Sequence, residues 1–584
     1  MSTASRAAWA AFGVTAAAGV MVAVDLGRRI LANNDEARFA LLAQDVLSRG
    51  EWMSPQLNGA VYTNKPPLLA WLIAAASWPA GHVTQLTAAL PSALAAVATA
   101  LVVFAAGRSL FGATTGIFAA LVTVTTQGWF LHARLPMPDM LLTLFITAAV
   151  AALWPTIEGR RGPWWLGVWV AMAAAFWAKG AAALLPLAVA LAWGIGARRP
   201  RWWQAMHWPA GLALFALLIA PWWIGKLATH GEAMRETIVI DNLLWYLPRS
   251  PLVLVGVSQH VVGILFPWAL VLPLVGWLAV KAVRRRTSDG DALVFVFAWA
   301  LALLVCVGVV QQQRLRYYLP LVPPVALLIG WWGARAVSEA RTKDVWSTSE
   351  APAVGDARAR GEARSLGEVR VAGVAPSVGD AHAEAGIPWR AYATLVVVVA
   401  LATAAAALIR PTWVNADHVA FPMSIVEVGV MGGGLATMVA ALAWGLRYGP
   451  LRRTFAIACL GSAAWVVGWY HWELERRNAI SDYPRLRAEA RRLLPEDPVV
   501  ATWGVYDLPL SFYLGRPVKA IHTDRDLRRV MSEHPRASAV LTRTALAQVE
   551  DPARLRVLPL ERMNLDSIVL VSYSPDVPRA GTRP

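Results

Sequence analysis

The sequence predicts an all-α polytopic membrane protein with about thirteen transmembrane helices. Hydrophobic residues make up 57% of the 584 positions and charged residues only 15%, and the mean hydropathy is +0.48. A water-soluble globule does not have this composition. The hydrophobic residues also form repeated runs of about 20, the length that crosses the hydrocarbon core of a bilayer.

The apolar runs follow one another along most of the chain. They cover residues 8–25, 85–106, 114–132, 138–155, 163–180, 181–197, 207–225, 251–280, 292–311, 317–334, 391–409, 422–446 and 454–471. The first run is long and lacks a small-residue cleavage site, so we expect it to remain as an anchor instead of being removed as a signal peptide.

The orientation of these helices follows from the Lys and Arg residues of the short loops, which stay on the cytoplasmic side. With the N-terminus inside, the inner loops hold 14 such residues and the outer loops 8, when the two longest loops, 26–84 and 335–390, are left out. The odd number of helices then places the C-terminal tail on the outer side.

Charge and cysteine content argue against two other classes of protein. Lys and Arg number 53 against 37 Asp and Glu, a net charge of +16. These cations form short clusters between apolar runs, without the basic and aromatic interleaving of a nucleic-acid surface, so we expect a membrane and no nucleic acid as partner. Cys306 and Cys459 lie inside apolar runs, which argues against a disulfide framework and a cysteine metal site.

Four segments are predicted. Residues 1–335 form a transmembrane catalytic module, 336–388 a cytoplasmic low-complexity linker, 389–472 further transmembrane helices, and 473–584 a small α/β domain on the outer side. The linker repeats itself, as APAVGDARA and then APSVGDAHA, without hydrophobic periodicity. The tail alternates helical patterns with short β-type runs at 499–502, 511–514, 539–542 and 568–572. It is either a structural cap over the membrane part or a region that binds an acceptor.

The first outer loop, residues 26–84, is predicted to hold amphipathic helices and a cluster of unusual polar residues. The cluster begins with NNDEARF at residues 33–39, in which Asp35 and Arg38 have the i,i+3 spacing of a helical ion pair. This pattern fits a helix cap with a surface ion pair, and equally the start of a site.

Lys65 lies further along the same loop, in the sequence YTNKPPLLAW. The two prolines that follow can open a helix, whose free N–H groups point back toward Lys65. A lysine at a helix N-terminus makes a binding site for a phosphate. The alternative is an interfacial lysine whose ammonium reaches the lipid headgroups.

Three more clusters fall at the outer ends of apolar runs. Asp139 either pairs with Arg134 as a structural contact or shares a site with Asp35. Lys179, followed by a glycine, projects among helices. Residues 314–318, RLRYY, bring cations and aromatics into the tenth run, where an aromatic belt accounts for the tyrosines.

All these clusters fall on one side of the membrane under the predicted topology. Acids, cations and aromatics at one interface are what transfer from a phosphate-linked lipid donor requires. Cations neutralise the leaving phosphate, and a carboxylate accepts the proton of the attacking hydroxyl or orients it.

The same residues resemble a known family. The matching pieces are Asp35-Glu36-Ala37-Arg38-Phe39, Leu57-Asn58-Gly59, Tyr62, Lys65-Pro66-Pro67-Leu68-Leu69-Ala70-Trp71, Leu90-Pro91-Ser92-Ala93, Gly107-Arg108-Ser109-Leu110-Phe111-Gly112, Pro138-Asp139-Met140-Leu141 and Lys179-Gly180. In this order they resemble class C membrane glycosyltransferases of the dolichyl-phosphate-mannose protein mannosyltransferase-like branch, and lipid A aminoarabinose transferases in particular. The likeness covers roughly the first 335 residues.

The resemblance implies an inner-membrane enzyme that uses a polyprenyl-phosphate sugar at the periplasmic face, acts on a lipid A-like or protein acceptor, and inverts the anomeric carbon by direct displacement. It also implies roles for individual residues. The implied catalytic residues are Asp35, Asp139 and Arg38, the donor-phosphate ligands are Lys65, Lys179 and Arg134, and the pocket residues are Glu36, Tyr62 and Tyr317.

Some positions depart from the family pattern. Aminoarabinose transferases commonly carry Glu, an expected metal ligand, where this chain has Asn64, which puts a divalent metal in doubt. The family's His-containing stretch is only partly matched at 241–243, Trp245 stands where a basic residue is common, and Arg249 is a compensating candidate. These changes weaken the assignment of aminoarabinose and lipid A.

Two other classes remain open at this point. A transporter or flippase of lipid-linked sugars would use intramembrane charges as a pathway, but the apolar runs lack paired half-repeats. An assembly scaffold whose tail binds a partner would leave the outer acids and lysines without a role.

Overall fold

The computed structural model describes residues 2–198, 202–236, 257–310, 313–349, 451–493, 500–534, 536–558 and 568–573, and the single positions 435, 439, 440 and 560. Helices account for most of these residues. In chain order they are α1 Thr3–Ala23, α2 Asn34–Arg49, α3 Leu68–Ser77, α4 Gln85–Phe111, α5 Ala113–Val124, α6 Gln127–His132, α7 Asp139–Ile157, α8 Trp164–Lys179, α9 Leu185–Gly196, α10 Trp208–Glu236, α11 Val257–Leu265, α12 Leu272–Arg284, α13 Gly290–Gly308, α14 Val322–Ser349, α15 Leu451–Ile480, α16 Tyr483–Leu493, α17 Asp507–Leu514, α18 Asp524–Glu533 and α19 Arg543–Leu546.

Seven helical segments in the described part of the chain are long and apolar enough to cross a membrane. They are Ser5–Ala23, Gln85–Phe111, Asp139–Ile157, Trp164–Gly196, Trp203–Ala228, Gly290–Gly308 and Leu315–Arg335. The predicted helix at 391–409 and most of that at 422–446 lie outside the described residues. The total of thirteen therefore stays a prediction.

Several predicted spans differ in detail from the helices observed. The run 251–280 is not one helix, because two helices, α11 and α12, are separated by a 3₁₀ turn at Trp268–Leu270. The run 114–132 is likewise divided into α5 and α6. The helix α14 continues to Ser349, so the first part of the predicted linker is helical, and residues 350–388 lie outside the described part.

Small residues let the central helices approach closely. A Cβ on Gly116 of α5 would stand 2.4 Å from the carbonyl oxygen of Phe104 in α4. A Cβ on Gly330 of α14 would stand 2.6 Å from the backbone nitrogen of Ala119 in α5. Backbone contact of this kind is how apolar helices gain packing energy where neighbouring lipid is equally apolar.

The predicted boundary between the fifth and sixth runs is a real break. The helix α8 ends at Lys179, and Gly180 follows with φ +65° and ψ −131°, a conformation that favours glycine. A 3₁₀ turn at Gly180–Leu184 then leads into α9. This break makes Lys179 the last residue of α8.

The segment between α1 and α4 forms a small layer at one end of the helices, called here the α2 end. It contains α2, α3 and a short hairpin of β1 Gln56–Leu57 and β2 Ala60–Val61. The side chain of Asn33 caps α2 by accepting a hydrogen bond from the N–H of Glu36 at 2.9 Å.

Residues 500–573 build a five-stranded mixed sheet. Its strands are β3 Val500–Trp503, β4 Val518–Ala520, β5 Ser538–Thr542, β6 Leu555–Leu558 and β7 Ile568–Tyr573, in the order β4-β3-β5-β7-β6. The strand β3 pairs in parallel with β4 and β5, while β7 pairs antiparallel with β5 and β6. The run Ser511–Leu514, expected to be β-type, is instead the end of α17.

Candidate active site

The titratable residues predicted for the site lie at helix ends. Asp35 is in the first turn of α2, and Asp139 is the first residue of α7. Lys179 is the last residue of α8. Carboxylates are favoured at the positive N-terminal end of a helix and cations at the negative C-terminal end. Since α7 and α8 meet at these ends, their opposite charges come together.

Arg316 connects the two carboxylates. Lys179 Nζ donates a hydrogen bond to Asp139 Oδ1 in a buried ion pair. Arg316 Nε lies 3.7 Å from Asp139 Oδ2, and Arg316 Nη2 donates to Asp35 Oδ2 at 2.9 Å. The guanidinium therefore bridges the first loop and α7.

Asp35 has two further cationic partners. Arg38 Nη1 donates to its Oδ1 at 3.1 Å, and Arg314 Nη1 donates to its Oδ2 at 2.8 Å. Burial by itself would raise the pKa of Asp35, but Arg316, Arg38 and Arg314 together hold it below its usual range. The side chain of Asp35 is 25% exposed, against 3% for that of Asp139. Asp35 is thus the carboxylate that a substrate can reach.

The cluster carries an excess of positive charge. Four cations, Arg38, Lys179, Arg314 and Arg316, surround the two carboxylates, which leaves a net charge of +2. The Lys179 ammonium also stands 4.3 Å from the centre of the Tyr317 ring. Such an arrangement attracts an anion and offers it donors from several directions.

An apolar cavity of about 350 Å³ ends at this cluster. Its lining comprises Leu142, Lys179, Ala181, Ala182, Leu184, Leu185, Ala188, Cys306, Val307, Val310, Tyr317 and Pro320. Lys179 and Tyr317 supply its polar end, while nearly all the rest is hydrocarbon. A cavity of this composition suits a ligand with an anionic head and an apolar chain.

A second cavity, of about 230 Å³, lies on the other side of the 180–184 turn. It is lined by Asn64 and Pro66 from the first loop and by Gly180 and aromatic residues of α8 and α10, and it shares Ala181 and Leu184 with the larger cavity. The Lys-Pro-Pro segment therefore lies beside the end of α8. Lys65 is half-buried between two of the lining residues.

Tyr62 lies near the start of α3, within the first-loop layer. Its ring packs edge-on against Phe39 of α2, with the two centroids 6.4 Å apart. This contact joins the hairpin side of the loop to the helix that carries Asp35.

Glu36 does not lie in the predicted pocket. It is buried and accepts a hydrogen bond from Arg29 Nη2 at 2.8 Å, while Arg29 Nη1 also donates to Glu473 of α15 at 3.1 Å. Burial would lower the pKa of Arg29, but the two carboxylates raise it well above its usual range. Glu36 therefore joins α2 to α15 through Arg29.

Arg134 is also placed differently from its expected role. Its guanidinium is buried and donates to three backbone carbonyls, those of Met21, Phe130 and Val24, the last at 2.9 Å. It also packs over the Phe130 ring. Burial lowers the pKa of Arg134 to about 10. In the described part of the chain it forms no ion pair with Asp139, so that pairing is not observed, and its guanidinium is engaged by backbone carbonyls.

Two residues of the cluster, Arg314 and Arg316, were absent from the predicted site. The signal for them was in the sequence, as two cations at alternate positions directly before Tyr317. The segment was grouped with the other outer clusters and an aromatic belt accounted for its tyrosines, but neither arginine was assigned an individual role. His132, buried beneath the cluster with its Nδ1 2.7 Å from the carbonyl oxygen of Gly128, had no sequence signal.

A divalent metal would need several ligands close together. The described residues contain no group of three His, Cys, Asp or Glu side chains placed to hold one. Asp35 and Asp139 are both engaged by cations, and Asn64 offers only an amide. The stretch 237–256, with Asp241, Trp245 and Arg249, lies outside the described residues.

Comparison with known proteins agrees with the resemblance. Residues 64–224 match the family model of dolichyl-phosphate-mannose-protein mannosyltransferases. The undecaprenyl phosphate-alpha-4-amino-4-deoxy-L-arabinose arabinosyl transferase of Edwardsiella ictaluri is 27% identical over 343 residues, 54% of this chain and 58% of that protein. The enzyme of the same name from Pectobacterium carotovorum is 26% identical over 326 residues, 53% and 56% of the two chains. The aligned part thus spans somewhat more than half the length of these relatives.

A solved structure matches nearly the whole chain. The crystal structure of ArnT from Cupriavidus metallidurans bound to undecaprenyl phosphate superimposes with a TM-score of 0.69 at 20% identity, covering 96% of this chain and 97% of that one. This similarity establishes the fold, and the long apolar helices are those of an integral membrane protein. Over residues 64–224 the chain is therefore similar to the dolichyl-phosphate-mannose-protein mannosyltransferase family, as its motifs predicted, and in fold it is similar to ArnT.

Proposed function

We propose that this protein is a membrane glycosyltransferase that moves a sugar from a polyprenyl-phosphate-linked donor to a lipid or protein acceptor at the periplasmic face of the inner membrane. The observation that carries this proposal is the bridge of Arg316 between Asp35 and Asp139, beside the apolar cavity that ends at Lys179. The names of the relatives, which refer to undecaprenyl phosphate, support the same donor class.

The donor phosphate binds among the cations. Lys179 at the head of the cavity and Arg314 and Arg316 at its rim provide charge-assisted donors for the phosphate oxygens. The polyprenyl chain then follows the apolar walls of the 350 Å³ cavity toward Ala188 and Cys306. Lys65, three residues before α3 and between two residues that line the neighbouring cavity, adds a further cation.

The transfer is a direct displacement at the anomeric carbon. A bond forms between that carbon and the acceptor oxygen as the bond to the phosphate oxygen breaks, and the electron pair of the broken bond leaves with the polyprenyl phosphate. Asp35 takes the proton of the acceptor hydroxyl. The arginines and Lys179 stabilise the charge that develops on the phosphate. Asp139 holds Lys179 and Arg316 in place.

Donor binding itself makes Asp35 a better base. In the free protein three arginines keep the pKa of Asp35 low, so that its carboxylate is ionised but weakly basic. A phosphate that engages Arg314 and Arg316 weakens their attraction for Asp35. The pKa of Asp35 then rises from its depressed level, which makes the carboxylate a stronger base.

The placement of the C-terminal unit supports a periplasmic site. The helix α17 packs against α2, and Asn34 donates to Asp507 across 3.0 Å. The sheet of residues 500–573 therefore lies at the α2 end, with the ion-pair cluster. We propose that residues 473–584 form a small periplasmic domain above about thirteen transmembrane helices, with the 336–388 linker in the cytoplasm.

A transporter of lipid-linked sugars is the less favoured function. Its charges would line a path through the midplane of the membrane. The cluster lies instead at helix ends on one side, and each carboxylate is held by cations from other segments. This geometry suits a reaction centre better than a conduction path.

The direct test is transfer of label by the purified protein from a radiolabelled undecaprenyl-phosphate sugar to envelope lipid and protein fractions. We expect labelled acceptor from the wild-type protein and a loss of about 10²- to 10⁴-fold in Asp35→Asn, with the fold and undecaprenyl phosphate binding retained. Transfer at the wild-type rate in Asp35→Asn would remove the proposed base. Label that only changes leaflet in reconstituted vesicles would favour a transporter.

A further inference from the structure

The C-terminal unit contacts the turn of α2 that carries Asp35. The Oδ1 atom of Asp507, the first residue of α17, accepts a hydrogen bond from Asn34 Nδ2 at 3.0 Å. In return, Asn34 Oδ1 accepts one from the backbone N–H of Leu508 at 3.2 Å. The amide of Asn34 and the start of α17 thus form a reciprocal pair, one residue before Asp35.

Two other contacts hold the same region. The Oδ2 atom of Asp507 accepts from Asn58 Nδ2 of the hairpin at 3.3 Å. The hydroxyl of Tyr513, on the same helix, accepts from the backbone N–H of Leu31 at 3.0 Å. Helix α17 therefore makes hydrogen bonds to Leu31, which precedes α2, and to Asn34, which is the first residue of α2.

We propose that Asp507 is a positioning residue for the transfer reaction, acting through Asn34 to orient the first turn of α2 so that Asp35 meets its three arginines. This inference rests on the proposed function, in which Asp35 is the base. A first helical turn has few internal hydrogen bonds and opens easily unless other groups hold it. A shift of about 1 Å in a reacting group can cost about 10²-fold in rate.

Hydrogen exchange of the full-length protein tests this inference without reference to activity. Asp507→Ala removes both acceptor oxygens, and Asp526→Ala is the matched control, because Asp526 belongs to the same unit and bonds to Thr523 and Arg529 of its own helix. We expect Asp507→Ala to raise amide exchange about tenfold in residues 31–38 and to leave the sheet unchanged. The control should match wild type. Unchanged exchange at 31–38 would overturn the inference.

A second variant covers the case in which Asp507→Ala loosens the whole C-terminal unit. Asp507→Asn keeps the shape of the side chain and one acceptor oxygen for Asn34 or Asn58. We expect a smaller rise in exchange, confined to residues 31–38, with the sheet protected as in wild type. No rise in this variant, together with a global rise in Asp507→Ala, would assign Asp507 a purely structural role.

Kinetics separate the positioning role from the proposed function. With radiolabelled undecaprenyl-phosphate sugar, we expect Asp507→Ala to lower kcat about 10- to 100-fold and to change the donor KM by less than about threefold. The acid limb of kcat should move to higher pH, because a displaced Asp35 loses part of the attraction of its arginines. If Asp35→Asn is inactive while Asp507→Ala keeps the wild-type rate and pH profile, positioning is excluded. If Asp35→Asn is fully active, the proposed base fails, whereas the exchange result stands.

Discussion

Asp35 and Arg316, which lie 281 residues apart in the chain, form an ion pair with 2.9 Å between Oδ2 and Nη2. The same guanidinium reaches Asp139 at 3.7 Å. The planar fork of arginine can serve two carboxylates at fixed directions, which an ammonium group cannot do. Arg316 therefore sets the separation of the two acids in the cluster.

Replacement of this arginine by lysine keeps the charge and removes the bridge. We expect Arg316→Lys to lower the rate of sugar transfer about 10²-fold, because Asp35 is no longer held at a fixed distance from Asp139. Arg529→Lys, in an exposed pair with Asp526, is the matched control. The measurement is transfer of label from the radiolabelled donor. A wild-type rate in Arg316→Lys would mean that the bridge has no catalytic role.

The depressed pKa of Asp35 predicts the acid side of the pH profile. Because its folded-state pKa lies below the unfolded value, the ion pairs of Asp35 stabilise the protein above about pH 4 and are lost as the pH falls through the folded pKa. We expect kcat/KM to be level from about pH 5 to 8 and to fall only below about pH 4. Arg38→Met should move this limb to higher pH. If the acid limb of the kcat/KM profile does not move in Arg38→Met, the limb reports a group other than Asp35.

The buried pair of Asp139 and Lys179 predicts strong coupling in stability. Asp139→Asn leaves the buried Lys179 ammonium without its carboxylate and should reduce the free energy of unfolding by about 3–5 kcal/mol. Lys179→Met should cost less, because Asp139 keeps Arg316 at 3.7 Å. The double variant should lose less than the sum of the two. Thermal unfolding in detergent, followed by tryptophan fluorescence, measures all three. Additive losses would show that the two side chains are independent.

Arg134 should matter for stability and not for donor binding. Arg134→Met removes the donor to three backbone carbonyls, one in a buried hydrogen bond and two in part-buried ones, at up to about 1–3 kcal/mol each. We expect a lower unfolding temperature and unchanged affinity for undecaprenyl phosphate. Lys65→Met should instead weaken binding of undecaprenyl phosphate and leave the unfolding temperature unchanged. Weaker lipid binding in a still folded Arg134→Met protein would restore the role implied by the family resemblance.

The apolar cavity predicts dependence on the polyprenyl chain. Ala188→Trp places a large side chain in the cavity wall and should weaken binding of undecaprenyl phosphate about tenfold or more, with little effect on a short-chain analogue. Leu191→Trp, on the exposed face of the same helix, is the control. Equal losses for long and short chains would place the lipid elsewhere.

The helical part of the fold was predictable because its signal is local. Runs of apolar residues marked α4, α7, α13 and the break at Lys179, where glycine follows. The interrupted helices were harder to predict from the sequence. The run 251–280 is continuously apolar, although a turn at Trp268–Leu270 divides it.

The site was predictable in part. Asp35, Asp139 and Lys179 were grouped because the predicted topology put them at the same helix ends, and the structure brings them into one network. The partners of Glu36 and Arg134 could not be predicted, because they are remote in the chain or are backbone atoms. Glu36 meets Arg29 beside Glu473 of a distant helix, and Arg134 meets carbonyls of α1.

The amino-acid order alone determined that the chain is built from membrane-crossing helices and that its unusual acids and lysines fall at their ends, because helix length and hydropathy depend on neighbouring residues. Only the tertiary structure decided which cation meets which carboxylate, and that Arg314, Arg316 and Asp507 converge on the first turn of α2. Ion pairing depends on distances of a few ångströms between groups hundreds of residues apart, and the packing of helix ends sets those distances.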